Sequence, residues 1–172
     1  DVLKNIDKLK EAKVLVVGDL AIDEMVYGDA KRISREAPVL ILKHKNTKIL
    51  LGGGSNAAHN IAALGAQKTS VIGVCGNDYH APHLIKAFEQ ANIDPSMIIK
   101  DPSRPTSTKT RISAASTQSV TQQIVRIDRE SNLPIDEKIE QNLIDNIHKA
   151  AKDYDAILLS DYGIGVVTSN VV

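Results

Sequence analysis

Four consecutive apolar residues, Val14, Leu15, Val16 and Val17, stop abruptly at Gly18 and Asp19. A strand apolar at every position has to bury both faces, so it belongs inside a sheet that helices cover on both sides. Residues 71–74 and 156–160 repeat the pattern. Between these runs, apolar residues fall at helical spacing. Residues 1–12 carry Val2, Ile6 and Leu9, with Asp1 as cap; residues 78–91 carry Leu84, Ile85 and Phe88; residues 136–150 carry Ile139, Leu143, Ile144 and Ile147. An Ala-rich helix is expected over 55–64, stopped by Gly65. Such alternation predicts an α/β fold with a largely parallel sheet. Two further segments, 106–113 and 122–128, alternate polar and apolar residues and read as half-exposed strands of a second, smaller sheet with one wet face. Short strands are expected at 25–27 and 39–44, a polar connection at 29–36 and a turn at 92–95.

Composition narrows the function. The chain has 172 residues, about one domain's worth. Its 21 basic and 21 acidic residues balance, so there is no excess positive charge for nucleic acid, and five aromatic residues without Trp give few surfaces for base stacking. No apolar run is long enough to span a membrane, and no basic-then-apolar leader opens the chain. A single cysteine, Cys75, excludes an internal disulfide and fits a reducing compartment. A soluble, cytoplasmic protein is the expectation. Thr168 and Ser169 resemble helix caps with only three residues after them, which suggests the front part of a longer protein.

The strongest chemical signal is the string 52–58, Gly-Gly-Gly-Ser-Asn-Ala-Ala. Glycines let a ligand approach the backbone, and the helix that follows presents free N–H groups and the positive end of its dipole. Asn56 adds a donor and an acceptor, which suits hydroxyl groups; a strand-to-helix turn that needs glycine for geometry alone is the bland alternative. The same string loosely matches a dinucleotide fingerprint (Gly52, Gly54, Ala57), with Asp78 at about the ribose position. That fingerprint normally follows the first strand, whereas here several precede it. Asp78, His80 and His83 could hold a metal, although histidines at a helix start are more often solvated. Cys75 reads as a core thiol. Asp19 and Asp23 follow the first strand and Asp161 follows the last, where open α/β sheets bind ligands. Lys109 and Arg111 share a strand face, and with Arg126 could hold an anion such as a sugar phosphate. Pairing with Asp128 and Glu130 on a solvated face is the commoner fate of such charges.

Taken together, residues 14–23, 32–39 (Arg-Ile-Ser-Arg-Glu-Ala-Pro-Val), 52–66, 108–111, 122–128 and 158–162 resemble the PfkB/ribokinase family of carbohydrate kinases, in order over nearly the whole chain. The branch most resembled is the heptose 7-phosphate kinase domain of ADP-heptose synthesis enzymes. The resemblance implies a three-layer α/β/α ribokinase-like sheet with a small β-strand lid, residues 1–172 being its N-terminal portion and the lid strands lying near 23–46 and 106–128. It implies ATP and Mg2+ as cofactors, phosphoryl transfer to a sugar hydroxyl in the synthesis of a lipopolysaccharide core precursor, and a homodimer paired through the lids. By the same resemblance Asp23, Gly52, Gly53 and Asn56 bind the sugar, Asp161 is the acidic position after the later strand, and Lys109, Arg111 and Arg126 are lid positions near the sugar phosphate.

Three departures stand out. Ile164 occupies a position where the branch carries lysine, and an apolar side chain cannot neutralise a phosphate. The segment between Arg111 and Gln122 is longer than usual, as is that from Gly65 to Gly76. The Gly-x-Gly-Asp sequence that carries the family's catalytic base does not occur in these residues. The 172 residues are therefore expected to hold much of the sugar site and to show no turnover alone. Two other readings remain: a non-catalytic sugar-binding or dimerising module, and an NAD-binding oxidoreductase.

Overall fold

A computed structural model of the chain describes residues 8–116 and 119–172. In chain order the elements are β1 (Lys13–Gly18), β2 (Leu20–Ile33), β3 (Leu40–Gly52), α1 (Gly53–Ala63), β4 (Lys68–Cys75), α2 (Ala81–Gln90), β5 (Ile93–Lys100), β6 (Thr108–Ser116), β7 (Ser119–Arg129), α3 (Glu137–Ala151) and β8 (Ala156–Ser160). They form two sheets, ordered β5-β4-β1-β8 and β3-β2-β6-β7. Every pairing in the first sheet is parallel. In the second, β2 pairs antiparallel with β3 and parallel with β6, and β6 pairs antiparallel with β7.

The apolar run of β1 divides its side chains between two cores, as strand alternation requires. Val14 and Val16 join Val71, Ala58, Leu84 and Phe88 beneath α1 and α2. Leu15 and Val17 join Ile72, Val74, Ile135 and Leu143 beneath α3. The first sheet is thus the middle of three layers. The second sheet projects from it as the lid, with β2 leaving the carboxyl end of β1 and β3 leading into α1.

Several elements depart from the sequence reading. The helix expected over 1–12 falls mostly on residues outside the described ones, and residues 8–11 make a single 3-10 turn. The strands foreseen at 25–27 and 39–44 extend to 14 and 13 residues, because the polar stretch after Asp29 stays paired with β3 as far as Ile33. The turn at 92–95 shrinks to Asn92, at φ +57°, and β5 begins at Ile93. Pro95 is tolerated there because β5 is an edge strand and a register shift falls in its pairing with β4 between Ser70 and Ile72. The apolar pattern of residues 156–160 predicts a buried strand. Instead Ile157, Leu158 and Leu159 are 38–43% exposed, since β8 has only β1 beside it and α3 packs over β4 and β5. α2 starts three residues later than expected, after a turn held by Asp78. α3 begins beside Asp136, whose side chain accepts a hydrogen bond from the Lys138 N–H. Among the described residues no helix is long and apolar enough to cross a membrane.

Candidate functional site

The site is built around the carboxyl end of β1. Asp19 is fully buried there, and its carboxylate accepts hydrogen bonds from the backbone N–H groups of Tyr162 (2.7 Å), Ile164 (3.2 Å) and Val166 (3.2 Å). A buried carboxylate is stable only when so satisfied, and the consequence is that the loop after β8 is drawn onto the end of β1. The carbonyl of Asp19 accepts from the Gly54 N–H at 2.8 Å, and the Ala21 N–H donates to the Ser55 hydroxyl at 3.0 Å. One residue therefore fixes both the glycine loop and the β8 loop. Gly53 sits between them at φ +52°, and a Cβ there would lie 3.0 Å from the Asp19 carbonyl oxygen.

Asp23 stands at the junction of two clefts. One, of about 370 Å³, runs between the glycine loop and the lid and is lined by Asp23, Gly53, Lys109, Arg111, Glu130 and Tyr162, among others. The other, of about 540 Å³, is lined by Asp23, Gly52, Gly53, Asn56 and His59 together with Leu50 and Ala87. Asn56 is exposed and its amide makes no hydrogen bond with another described residue. A hydroxylated ligand in this second cleft would find both the Asp23 carboxylate and Asn56 in its wall.

The lid carries charge in register. Asp23, Lys109 and Asp128 are cross-strand partners, as are Met25, Arg111 and Arg126. Arg111 holds Asp23 Oδ1 through Nη2 at 3.1 Å and Nε at 3.2 Å. Lys109 Nζ lies 2.7 Å from Glu130 and 3.7 Å from Asp128, and Arg126 pairs with Asp128 at 2.9 Å. Both fates weighed for these cations are present: Lys109 and Arg111 line the cleft, and all three are paired with carboxylates.

Of the residues singled out from sequence, Asp23, Gly53, Lys109 and Arg111 meet in the first cleft, and Asp23, Gly52, Gly53 and Asn56 in the second. Arg126 and Asp161 line neither. Asp161 instead accepts the Gly163 N–H at 2.8 Å, shaping the loop whose Tyr162, Gly163 and Ile164 do reach the cleft. Ile164 is buried there, and its carbonyl accepts from Arg104. The anchoring by Asp19 was not legible, because nothing in the sequence says which loop that carboxylate meets.

The competing motifs are engaged elsewhere. Asp78 accepts from the N–H groups of His80, Ala81 and Thr106. Burial pulls its carboxyl upward, but the hydrogen bonds from Thr106, Ala81 and His80 outweigh that and hold it below its ordinary value. It is thus tied to the segment before β6 and is not presented to the glycine loop. That loop follows β3, a lid strand, where a dinucleotide loop would follow a strand of the parallel sheet. His80 lies 3.9 Å from Glu24, and His83 Nδ1 is 2.9 Å from the Tyr79 carbonyl oxygen. Cys75 is buried, and burial pushes its thiol up, away from the reactive thiolate.

Comparison with known proteins agrees with this architecture. Residues 11–158 match the model of the pfkB family of carbohydrate kinases. The bifunctional protein HldE of Helicobacter hepaticus is 42% identical over 162 residues, which is 94% of this chain and 32% of the relative. That of Trichlorobacter lovleyi is 44% identical over 160 residues, 93% of this chain and 31% of the relative. The chain thus spans about a third of the length of these relatives. Among solved structures, phosphofructokinase-2 from Escherichia coli in complex with fructose-6-phosphate superposes with a TM-score of 0.63 at 15% identity, covering 93% of this chain and 48% of that one. A carbohydrate kinase from Agrobacterium tumefaciens gives 0.61 at 21% identity, covering 86% and 45%. At these identities the structural likeness concerns the fold alone, which is ribokinase-like. The family match spans most of the chain, from β1 into β8, and with it the glycine loop and the lid: the chain belongs to the pfkB family of carbohydrate kinases.

Proposed function

We propose that this chain is the sugar-binding portion of an ATP-dependent, magnesium-requiring sugar-phosphate kinase of the heptose 7-phosphate type, working in the cytoplasm toward ADP-heptose. One observation carries the reading. The Asp23 carboxylate stands between the glycine loop and the cationic lid, with one oxygen held by Arg111 and the other turned toward Gly52. There it can accept hydrogen bonds from sugar hydroxyls and hold the acceptor in place, and positioning supplies a large share of catalysis in phosphoryl transfer. Asn56 orients a further hydroxyl, and the lid shields the sugar from water.

ATP and magnesium are partners of the whole protein in this reading. The residues that line the two clefts act on the sugar. The relatives are about three times as long as this chain. The nucleotide side of the reaction accordingly belongs to the full-length gene product, and the 172 residues alone are expected to show no turnover.

The test is to supply the full-length product with ATP, Mg2+ and D-glycero-D-manno-heptose 7-phosphate and to assay ADP release. Turnover is expected, and Asp23→Ala should lower kcat/KM about 100-fold through lost positioning. Failure of the wild-type protein to phosphorylate any sugar or sugar phosphate would end the kinase reading. Ile164, apolar in the cleft wall, favours a second reading, a sugar-binding module without catalysis. Sugar-phosphate binding without turnover in the full-length product would select it. Tight NADH binding in a fluorescence titration would instead point to an oxidoreductase.

A further inference from the structure

Building on the sugar-phosphate reading, we infer that Lys48 is the lid residue that reads the phosphate of the substrate. The register of the lid places Leu50, Asp23, Lys109 and Asp128 in one row across its four strands, and Lys48, Met25, Arg111 and Arg126 in the next. Cross-strand partners share a face, so Lys48 lies on the face that carries Asp23 and Arg111.

The charges on that face are not equivalent. Lys109, Arg111 and Arg126 are answered by Glu130, Asp23 and Asp128. A phosphate taking any of these three cations also meets the carboxylate beside it, like charge against like charge. Lys48 is exposed and makes neither an ion pair nor a hydrogen bond with another described residue. Beside it lies a pocket of about 350 Å³ lined by Tyr27, Lys45, Asn46, Lys48 and Ser113, with no acidic residue in its wall. Lys45 is already spoken for by Asp29 at 2.7 Å. Among the described residues that line this pocket, Lys48 is therefore the cation without an ion pair, next to hydroxyl and amide donors.

The spacing suits a monosaccharide phosphate. Lys48 and Arg111 flank Met25 on either side, so their backbones are about 10 Å apart, two strand spacings. The Lys48 side chain is long enough to close over Met25 onto an anion, with Arg111 still on Asp23. Their row lies two residues, about 7 Å, from that of Asp23. A sugar whose hydroxyls rest on Asp23 can thus extend its phosphate to Lys48 while Arg111 keeps its hold on Asp23.

The test uses the full-length protein. Its readouts are steady-state kinetics and nucleotide-free calorimetry with heptose 7-phosphate, and calorimetry with the same heptose lacking phosphate. Lys48→Ala should raise KM and Kd for the phosphorylated sugar about tenfold, with kcat held within about twofold. Binding of the unphosphorylated heptose should not change. Lys48→Arg should restore the wild-type KM, and Lys86→Ala, on the exposed face of α2, should have no effect. If Lys48→Ala leaves KM and Kd for the phosphorylated sugar at wild-type values, the inference is overturned while the kinase reading stands. If the wild-type protein binds heptose 7-phosphate without turnover and Lys48→Ala weakens that binding, Lys48 keeps its role and the kinase reading falls. If the wild-type protein binds no heptose 7-phosphate, both fall.

Discussion

Gly52 and Gly54 are two residues apart in one string, yet their surroundings make opposite demands. Gly52 has extended backbone (φ −117°, ψ 172°), which any residue adopts, and a Cβ there would come within 3.0 Å of Asp23 Oδ2. That oxygen ends a short side chain and can swing away. Gly54 is different: a Cβ would lie 2.9 Å from the Asp19 carbonyl oxygen, whose position is fixed by its hydrogen bond to the Gly54 N–H. Backbone cannot yield so cheaply, and overpacking of this kind costs about 2 kcal/mol. Gly54→Ala should therefore lower the melting temperature by about 6 °C. Gly52→Ala should leave it within about 2 °C while weakening sugar-phosphate binding, because the carboxylate it displaces is the proposed hydroxyl acceptor. Thermal melts and calorimetry on the two variants separate these outcomes, and equal loss of stability in both would contradict the account. The sequence shows three glycines without distinguishing them; what distinguishes them is the chain they face, and that comes from tertiary contact.

At the scale of elements, Asp78 joins two parts of the fold. It accepts the first free N–H groups before α2 and also the Thr106 N–H just ahead of β6, so the start of a core helix and the root of the lid share one carboxylate. Its pKa is depressed in the folded state. A depressed carboxyl contributes stability that is present above its ordinary value of 3.8 and is lost as pH falls through the lower folded value. Asp78→Asn should cost about 1 kcal/mol at neutral pH. Urea melts of the two proteins should then converge only below pH 3.8, and a gap that persists unchanged in acid would show that the carboxylate's charge is not what matters. Elements with strong periodicity were legible from sequence: α3 matches its expected bounds to a residue, since Ile139, Leu143 and Ile147 mark one face and Asp136 marks the start. β5 was not legible, because Asn92 and Pro95 are turn residues and hide a strand whose edge position makes the proline harmless. The length of β2 was hidden for a related reason. Lid strands meet water, so polar residues from Asp29 onward remain in strand without the apolar signal that marks a core.

In the whole molecule the lid is a sheet with two unlike faces. One carries Asp23, Arg111 and Lys48, the first two lining the cleft and the third the pocket beside it. On the other, Val39, Leu40, Leu42, Ile112, Ile124 and Val125 line a groove of about 520 Å³, and Val39, Leu40, Ile124 and Val125 are each 44–55% exposed. The parallel arrangement of the main sheet and the existence of a wet second sheet were readable from alternation alone. The chemical division of the lid's two faces was not, because it depends on register: the pairing of Ile112 with Val125 and of Arg111 with Arg126 is a property of two strands together. An exposed apolar surface of this kind calls for a cover, and a second copy of the lid is the occupant we propose. The chain's balanced charge leaves no net repulsion to keep two copies apart. Ile112 and Val125 are the residues to change, since they are paired on adjacent strands and both line the groove. The full-length protein should run as a dimer in light scattering, and Val125→Glu should make it a monomer while its circular dichroism stays native, because the side chain is exposed within one copy. Sugar-phosphate binding at the opposite face should survive in that monomer if each cleft is built from one chain, as the contacts of Asp23 with Arg111 and Gly52 indicate. A wild-type protein that is monomeric at every concentration tested would refute the pairing and leave the cleft's chemistry untouched.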